Sequence, residues 1–94
     1  MAIAVQLHFA ATLAQYDQVI EKMGFKKGGS GPPGLISHWV TATADGLQVT
    51  DVWESREQFD KFSEAKIGPI TQEVGIPGPP RSEFFEVHNY LTAG

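Results

Sequence analysis

The chain has 94 residues, a formal net charge of -4 and 41% hydrophobic residues, a size and composition that predict one small domain over residues 1 to 94. It has no cysteine, which excludes disulfide frameworks, thiolate zinc sites and cysteine nucleophiles. Seven Lys and Arg residues are too few for a nucleic-acid surface, and we find neither a basic leader nor a membrane-length apolar run. We therefore expect a cytoplasmic protein without nucleic-acid or membrane partners.

The first half of the chain predicts a strand, a helix and a loop. AIAVQLHF (residues 2 to 9) alternates apolar with polar or small residues, as a strand does. Thr12 and Gln15 have the spacing of a capping box, so a helix should begin there and end near Gly24. KKGGSGPPG (26 to 34) follows, and its glycines and prolines favour a loop without regular structure.

The second half predicts a hairpin, a second helix and a last strand. LISHWVTATADGLQVTDVWE (35 to 54) contains two β-rich runs around Asp45 and Gly46, a pair that favours a type I′ turn. Ser55 has the character of an N-cap for the second helix, and the Gly-Pro pair inside that helix should kink it. SEFFEVHNYL (82 to 91) is the last predicted strand.

The resulting order, β-α-β-β-α-β, is typical of a ferredoxin-like α+β fold. It predicts an antiparallel four-stranded sheet with strand order 4-1-3-2 and both helices on one face. The opposite face, which we call the open face, would then need another cover.

The hairpin register decides which side chains reach the open face. With the Asp-Gly pair as the two-residue loop, Trp39 pairs with Val52 and His38 pairs with Trp53. Trp39 and, on the last strand, Phe85 are then expected under the helices. The residues expected on the open face are Gln6, His8, His38, Val40, Asp51, Trp53, Phe84, Glu86, His88 and Tyr90.

Three histidines on one face raise the hypothesis of a metal site. Neighbouring strands lie about 4.8 Å apart, which separates His38 from His88 by roughly 14 Å. His8 lies near the other end of its strand. Metal–nitrogen bonds of about 2.1 Å cannot span such distances within one protomer, so we expect no metal and interpret the histidines as separate pocket or interface residues.

A row of carboxylates offers a candidate base. In the predicted register, Gln6 lies between Asp51 and Glu86 on the open face. Burial of this row would raise the carboxylate pKa values toward neutrality, as a general base requires. The alternative is that the carboxylates only pair with Lys or Arg across a subunit interface.

A second row suggests a binding pocket. Small Ala4 leaves room between Trp53 and Tyr90 for a planar aromatic or polyketide-like molecule, and His38 and His88 could donate hydrogen bonds at its rim. The alternative is that the two aromatic side chains simply fill this space.

The stretch VWESREQFDKF (52 to 62), together with the element order, resembles the dimeric α+β barrel proteins that include the antibiotic-biosynthesis-monooxygenase-like proteins. The resemblance implies a homodimer whose open sheet faces pack together, with Trp53 lining a pocket. Members of that family include cofactor-free oxygenases of phenolic substrates, which implies a base, here His88 or Asp51, and an oxyanion donor, here His38.

We therefore expect a small-molecule-binding homodimer that acts as a cofactor-independent monooxygenase on an aromatic or polyketide-like substrate. The alternative is a non-catalytic ligand-binding or structural homodimer. Haem degradation is disfavoured, because relatives with that activity use an Asn on the first strand and a His in the second helical region. This chain has Gln6 and His8 on its first strand, and its second helical region contains no His. The candidate catalytic residues are His38, Asp51 and His88, and the candidate ligand-binding residues are Gln6, His8, Trp53, Glu86 and Tyr90.

Overall fold

The predicted order of elements is confirmed. The computed structural model describes residues 1–93; the domain prediction also includes Gly94, which lies outside the described residues. Within them, no helix is both long and apolar enough to cross a membrane. The elements are β1 (Ile3–Phe9), α1 (Leu13–Met23), β2 (Leu35–Thr43), β3 (Gly46–Trp53), α2 (Arg56–Phe62), a π-helical turn (Ser63–Ile67), α3 (Gly68–Val74) and β4 (Arg81–Glu86).

Local sequence signals set the helix ends. The Thr12 side chain accepts a hydrogen bond from the backbone of Gln15, whose side chain in turn bonds the Thr12 backbone, so the predicted capping box is present. Gly24 ends α1 in the left-handed conformation with φ 86°, which glycine adopts without strain. Ser55 caps α2 through the backbone N–H of Gln58. The last strand is shorter than the predicted one, because β4 ends at Glu86.

The sheet is antiparallel with strand order β2-β3-β1-β4, which confirms the predicted order 4-1-3-2. The hydrophobic core lies between one face of this sheet and the helices. The buried core residues are Val5, Leu7, Phe9, Ala11, Val19, Leu47, Val49, Trp53, Phe59 and Ile76.

The loop of the β2–β3 hairpin lies one residue earlier than the predicted Asp-Gly loop. Thr43 pairs with Gly46, so the loop consists of Ala44 and Asp45. Gly46 is instead the first residue of β3, where its φ is +156° and a Cβ atom would lie 2.0 Å from the carbonyl oxygen of Phe9. This close approach to β1, rather than a turn, is what requires glycine.

The predicted assignment of the two sheet faces is wrong for the hairpin. Moving the loop by one residue shifts each pairing partner by two, so that His38 lies opposite Asp51 instead of Trp53. A two-residue shift keeps His38, Asp51 and Trp53 on one face, because side chains alternate with a period of two. However, Val5 on β1 lies directly opposite Asp51, so all three share the helix-covered face with the apolar residues of β1. Trp39 pairs with Thr50 and lies on the open face, 52% exposed. The two tryptophans therefore exchange the roles predicted for them.

The same correction applies to β4. Val5 lies opposite Phe84, and the Phe84 ring packs edge-on against Phe59 of α2 with 5.6 Å between ring centroids. Phe84 therefore faces the helices, and Phe85 lies on the open face with 48% of its surface exposed. The predicted orientations of the two phenylalanines are therefore wrong, because the register that decides them is that of β4 against β1.

Candidate active site

Asp51 is the one charged residue within 1–93 that is buried, with 4% of its surface exposed. Its Oδ2 accepts a hydrogen bond from Trp53 Nε1 at 3.1 Å, and its Oδ1 lies 2.6 Å from His38 Nδ1. An ionised carboxylate can only accept, so His38 Nδ1 carries a proton and donates it. The two donors satisfy a carboxylate that would otherwise be strongly destabilised by burial.

His38 extends this network to helix α1. Its Nε2 lies 2.5 Å from Tyr16 Oη, and the two rings are nearly parallel, with an interplanar angle of 10°. Because Nδ1 carries the proton of the neutral imidazole, Nε2 accepts and the Tyr16 hydroxyl donates. Trp53, Asp51, His38 and Tyr16 thus form one continuous series of hydrogen bonds, which we call the polar chain.

Secondary structure places each member of the polar chain. Asp51 and Trp53 are two residues apart on β3 and therefore share a face. His38 lies directly opposite Asp51 in the β2–β3 register. Tyr16 is in the first turns of α1, four residues after the Thr12 cap, and its backbone N–H donates to the Thr12 carbonyl oxygen.

Tyr16 is held in its neutral form. Partial burial raises the pKa of Tyr16 to about 12, and the negative charges of Asp51 and Asp17 contribute further. The phenol therefore stays protonated at neutral pH and serves as a hydrogen-bond donor to His38. This fits the direction assigned to the Tyr16–His38 hydrogen bond.

The polar chain lies in the wall of a cavity of about 890 Å³ between the helices and the sheet, a size typical of small-molecule sites. Apolar side chains supply most of the remaining wall. Phe62, which directly precedes the π-helical turn, and Ile67, the last residue of that turn, both line the cavity. The other apolar side chains that line it include Met23, Phe25, Leu35 and Val40.

The predicted loop of residues 26 to 34 forms one side of the cavity. Lys26 through Pro32 line it. Gly31 lies against Leu35 so closely that a Cβ atom would be 2.4 Å from the Leu35 Cδ2. The Gly29 N–H donates to the Lys26 carbonyl oxygen at 2.9 Å, so the loop contains a hydrogen-bonded turn and brings two lysines, Lys26 and Lys27, to the cavity.

The structure brings together three of the predicted site residues, His38, Asp51 and Trp53. The other five lie outside this cavity. Gln6 and His8 point to the open face, and Glu86 is the last residue of β4. The predicted row that placed Gln6 between Asp51 and Glu86 is wrong, because Gln6 pairs with Thr50 and Glu83. His88 and Tyr90 follow the end of β4, and both are exposed.

His8 has a separate partner at the tip of the hairpin. Its Nε2 lies 2.9 Å from Asp45 Oδ1, which also accepts a hydrogen bond from Thr43 Oγ1 at 3.2 Å. The hydrogen bond from His8, followed by that from Thr43, lowers the pKa of Asp45. This pair joins β1 to the β2–β3 loop, away from the cavity. Within residues 1–93, no three His, Asp or Glu side chains are grouped so that they could hold a metal ion.

Tyr16 is not among the predicted site residues. It is partly buried and packs against the core, as an aromatic residue of an amphipathic helix does. The available signal was the hydroxyl group, since a tyrosine that faces a core usually needs a hydrogen-bond partner there. Nothing in the sequence identified His38 as that partner, because the predicted face assignment had placed His38 on the other side of the sheet.

Comparison with known proteins supports the fold directly. A candidate antibiotic biosynthesis monooxygenase from Chloroflexus aurantiacus superposes with a TM-score of 0.66 at 21% identity, over 100% of both chains. The chain shares the fold of the antibiotic biosynthesis monooxygenase-like proteins. This confirms the resemblance and the ferredoxin-like α+β prediction. No family model and no curated protein matches the sequence.

Two further structural neighbours come from Streptomyces. The ActVA-Orf6 monooxygenase of Streptomyces coelicolor, solved in complex with Nanaomycin D, is 18% identical over 99% of this chain and 91% of that one, with a TM-score of 0.53. SnoaB, a cofactor-independent oxygenase of Streptomyces nogalater, is 14% identical over 98% and 96% of the two chains, with a TM-score of 0.54. At these identities the likeness establishes the fold alone.

Proposed function

We propose that the protein binds a planar aromatic or polyketide-like phenol in the helix-covered cavity and oxygenates it without a cofactor. The observation that carries this proposal is the His38–Asp51 pair, a base held by a buried carboxylate in the wall of a mainly apolar cavity. The activities named for two structural neighbours, a monooxygenase and a cofactor-independent oxygenase, support the same class of reaction.

The chemistry requires little from the protein beyond a base and an orienting pocket. Deprotonation converts a phenolic substrate into an electron-rich anion that can itself reduce dioxygen. For an anthrone, the methylene group loses two hydrogens, one oxygen atom of O₂ becomes the new carbonyl oxygen, and the other leaves with both hydrogens as water. The substrate supplies all the electrons, so the reaction balances without a further reductant.

His38 and Asp51 have distinct tasks in this scheme. His38 takes up the substrate proton and becomes an imidazolium. Asp51 fixes the imidazole tautomer through Nδ1 and stabilises the positive charge, and Trp53 Nε1 holds the carboxylate in place. A positioned general base of this kind contributes about 10²- to 10⁴-fold in rate.

Oxygen uptake with 1,8-dihydroxyanthrone tests the proposed activity. We expect protein-dependent uptake that falls about 100-fold in the His38→Gln variant, because the base is lost. Asp51→Asn should lower the rate of oxygen uptake by about the same factor, because a neutral amide does not stabilise the imidazolium as the carboxylate does. Asp45→Asn is the matched control, since Asp45 also contacts a histidine but lies away from the cavity, and it should keep the wild-type rate. An unchanged rate in His38→Gln would exclude the proposed base.

A non-catalytic binding protein is the second candidate, and one observation favours it. Each side chain of the polar chain already has a hydrogen-bond partner within the protein, as it would in a purely structural network. In that case the anthrone should bind, and the protein should produce no oxygen uptake above the buffer rate.

We further propose that the open face packs against a second copy of the chain. Two large aromatic side chains, Trp39 and Phe85, are about half exposed on this face. The hydroxyl oxygen of Thr50, on the same face, is buried and has no hydrogen-bond partner among the described residues. Exposed aromatic surface of this kind is characteristic of association sites. A homodimer would cover it and leave the cavity on the opposite side of each sheet.

A further inference from the structure

Both ring nitrogens of His38 are engaged within the protein. Nδ1 donates to Asp51, and Nε2 accepts from the Tyr16 hydroxyl at 2.5 Å. A neutral imidazole has a single lone pair that can accept a proton, and Tyr16 occupies it. A substrate in the cavity therefore meets the base of the proposed reaction through Tyr16 or has to displace the Tyr16 hydroxyl first.

Tyr16 has the position that a relay needs. It lines the cavity together with His38, and its hydroxyl contacts Nε2 of that histidine. A phenol oxygen donates one hydrogen bond and can accept another. While it donates to His38, it can therefore accept a proton or a hydrogen bond from a substrate hydroxyl.

We propose that Tyr16 is the catalytic residue that receives the substrate proton and passes its own proton to His38, an inference that rests on the proposed function. The substrate O–H bond breaks as a new O–H bond forms at Tyr16 Oη, and the original Tyr16 O–H bond breaks as an N–H bond forms at His38 Nε2. The electron pair stays on the substrate. A neutral substrate and a neutral imidazole become an anion and an imidazolium, and Tyr16 is neutral before and after.

The charges around Tyr16 favour a concerted transfer over a lasting tyrosinate. Asp51 on β3 and Asp17 on α1 are the charged groups that act on its hydroxyl, and both are negative. They disfavour a second negative charge on the phenol oxygen. At neutral pH, Tyr16 therefore conducts a proton without holding the charge, while the imidazolium that forms is stabilised by Asp51.

Tyr16→Phe tests the relay because it removes one oxygen and keeps the ring. The first readout is the absorbance of bound 4-nitrophenol, whose neutral and anionic forms differ in colour, at a pH below its own pKa. Wild type should bind it largely as the anion. After the transfer the Tyr16 O–H donates to the phenolate oxygen and accepts from the His38 imidazolium, so Tyr16 also stabilises the ion pair at equilibrium. Tyr16→Phe should therefore bind 4-nitrophenol within about threefold of the wild-type affinity but with about a tenfold lower ionised fraction, and Asp45→Asn should match wild type.

The second readout is oxygen uptake with 1,8-dihydroxyanthrone in mixtures of H₂O and D₂O. Two protons in flight should give wild type a curved dependence on deuterium content, and Tyr16→Phe should be about 100-fold slower, as expected for a lost proton-transfer group. A purely structural role for Tyr16 would change the melting temperature without changing the ionised fraction or the curvature.

The outcomes separate the relay from the proposed function. If Tyr16→Phe ionises 4-nitrophenol and consumes oxygen as wild type does, His38 takes the proton directly; the relay is then wrong and the proposed function stands. If wild type binds 4-nitrophenol without ionising it and consumes no oxygen, the relay and the catalytic proposal are both wrong. If wild type binds neither probe, the cavity assignment fails as well.

Discussion

At the scale of single residues, the arrangement around Asp51 is costly to build and has one evident advantage. A buried carboxylate loses its hydration, and here it regains hydrogen bonds from the Trp53 indole and the His38 imidazole. A leucine could fill a similar volume without that requirement. The carboxylate instead gives His38 a defined tautomer with Nε2 directed at Tyr16, which an apolar residue could not do.

Asp51→Ala should therefore destabilise the fold strongly. The substitution leaves the Trp53 N–H and the His38 Nδ1–H without their acceptor, and we expect a loss of about 3 kcal/mol in the free energy of unfolding. Urea unfolding measures it. Asp45→Ala, at an exposed aspartate that also contacts a histidine, should leave the urea midpoint nearly unchanged. Equal midpoints for the two variants would contradict the importance assigned to the buried hydrogen bonds.

Tyr16 should titrate well above an ordinary tyrosine. In a Tyr90→Phe background Tyr16 is the only tyrosine, and its ultraviolet absorbance should report a pKa of about 12 in the folded protein, against about 10 after unfolding in urea. Because the folded-state pKa is raised, its contribution to stability is full below pH 10 and declines as the pH rises toward 12. A folded-state midpoint near 10 would contradict the burial and charge environment described for the hydroxyl.

At the scale of secondary-structure elements, the contact between β1 and the start of β3 fixes the hairpin. Gly46 follows the two-residue loop, and its backbone meets the Phe9 carbonyl oxygen at a distance that leaves no room for a side chain. The hairpin therefore depends on a tertiary contact in addition to its own turn. This explains why local turn preference placed the loop one residue away from its position in the structure.

Gly46→Ala should consequently be among the more disruptive substitutions on the surface of the sheet. Its Cβ would collide with backbone rather than with a movable side chain, and we expect a loss of about 2 kcal/mol or more in stability. Gly68→Ala is the control: it is helical, and the nearest atom to its Cβ is the Ser63 carbonyl oxygen at 3.5 Å. Because Gly68 precedes Pro69 in a helical conformation, where a Cβ meets the proline ring, we expect the control to lose some stability, but less than Gly46→Ala. Thermal unfolding of both variants would show whether the Phe9 contact is as close as described.

Much of the fold could be predicted from the sequence, because its signals are local. The alternation of residues 2 to 9, the Thr12 capping box and the Ser55 cap each act over a few residues, and each is present in the structure. Strand order also followed, because few connections are allowed for this sequence of elements. The dimer and the reaction were not fixed by any of these signals.

The faces of the sheet could not be predicted so easily, because they depend on how separate strands align. The grouping of His38, Asp51 and Trp53 on one side survived the register error, since a two-residue shift preserves the side of each residue. The pairing of Val5 with Asp51 decides that this group lies on the helix-covered side of the sheet. The predicted register placed Trp39 in the core, and the structure buries Trp53 there together with a charged neighbour, Asp51.

At the scale of the whole molecule, the sheet has two surfaces with different tasks. The helix-covered face holds the core, the polar chain and the cavity. The open face holds exposed aromatic side chains, and we propose that it is the dimer interface. Because the two surfaces are on opposite sides of one sheet, the interface and the proposed chemistry should be separable by mutation.

Trp39→Glu should convert the proposed dimer into a monomer. The substitution puts a charge on the open face, in place of a large exposed aromatic side chain, where it would be buried without a partner on association. Light scattering after gel filtration measures the mass. Ala14→Glu adds the same charge on the exposed surface of α1 and should leave the dimer intact. A wild-type protein that is monomeric at every concentration tested would exclude this interface.

The most direct test of the central claim is a nuclear magnetic resonance titration of the two tryptophan indole N–H signals with 4-nitrophenol. Trp53 is buried in the cavity wall, and its indole N–H donates to Asp51. Trp39 is half exposed on the edge strand β2 and is also among the residues that line the cavity, so the Trp53 signal is the deciding one. We expect a saturable shift of the Trp53 signal. Saturation at Trp39 without any shift at Trp53 would place the ligand away from the polar chain and contradict the helix-covered cavity as the active site.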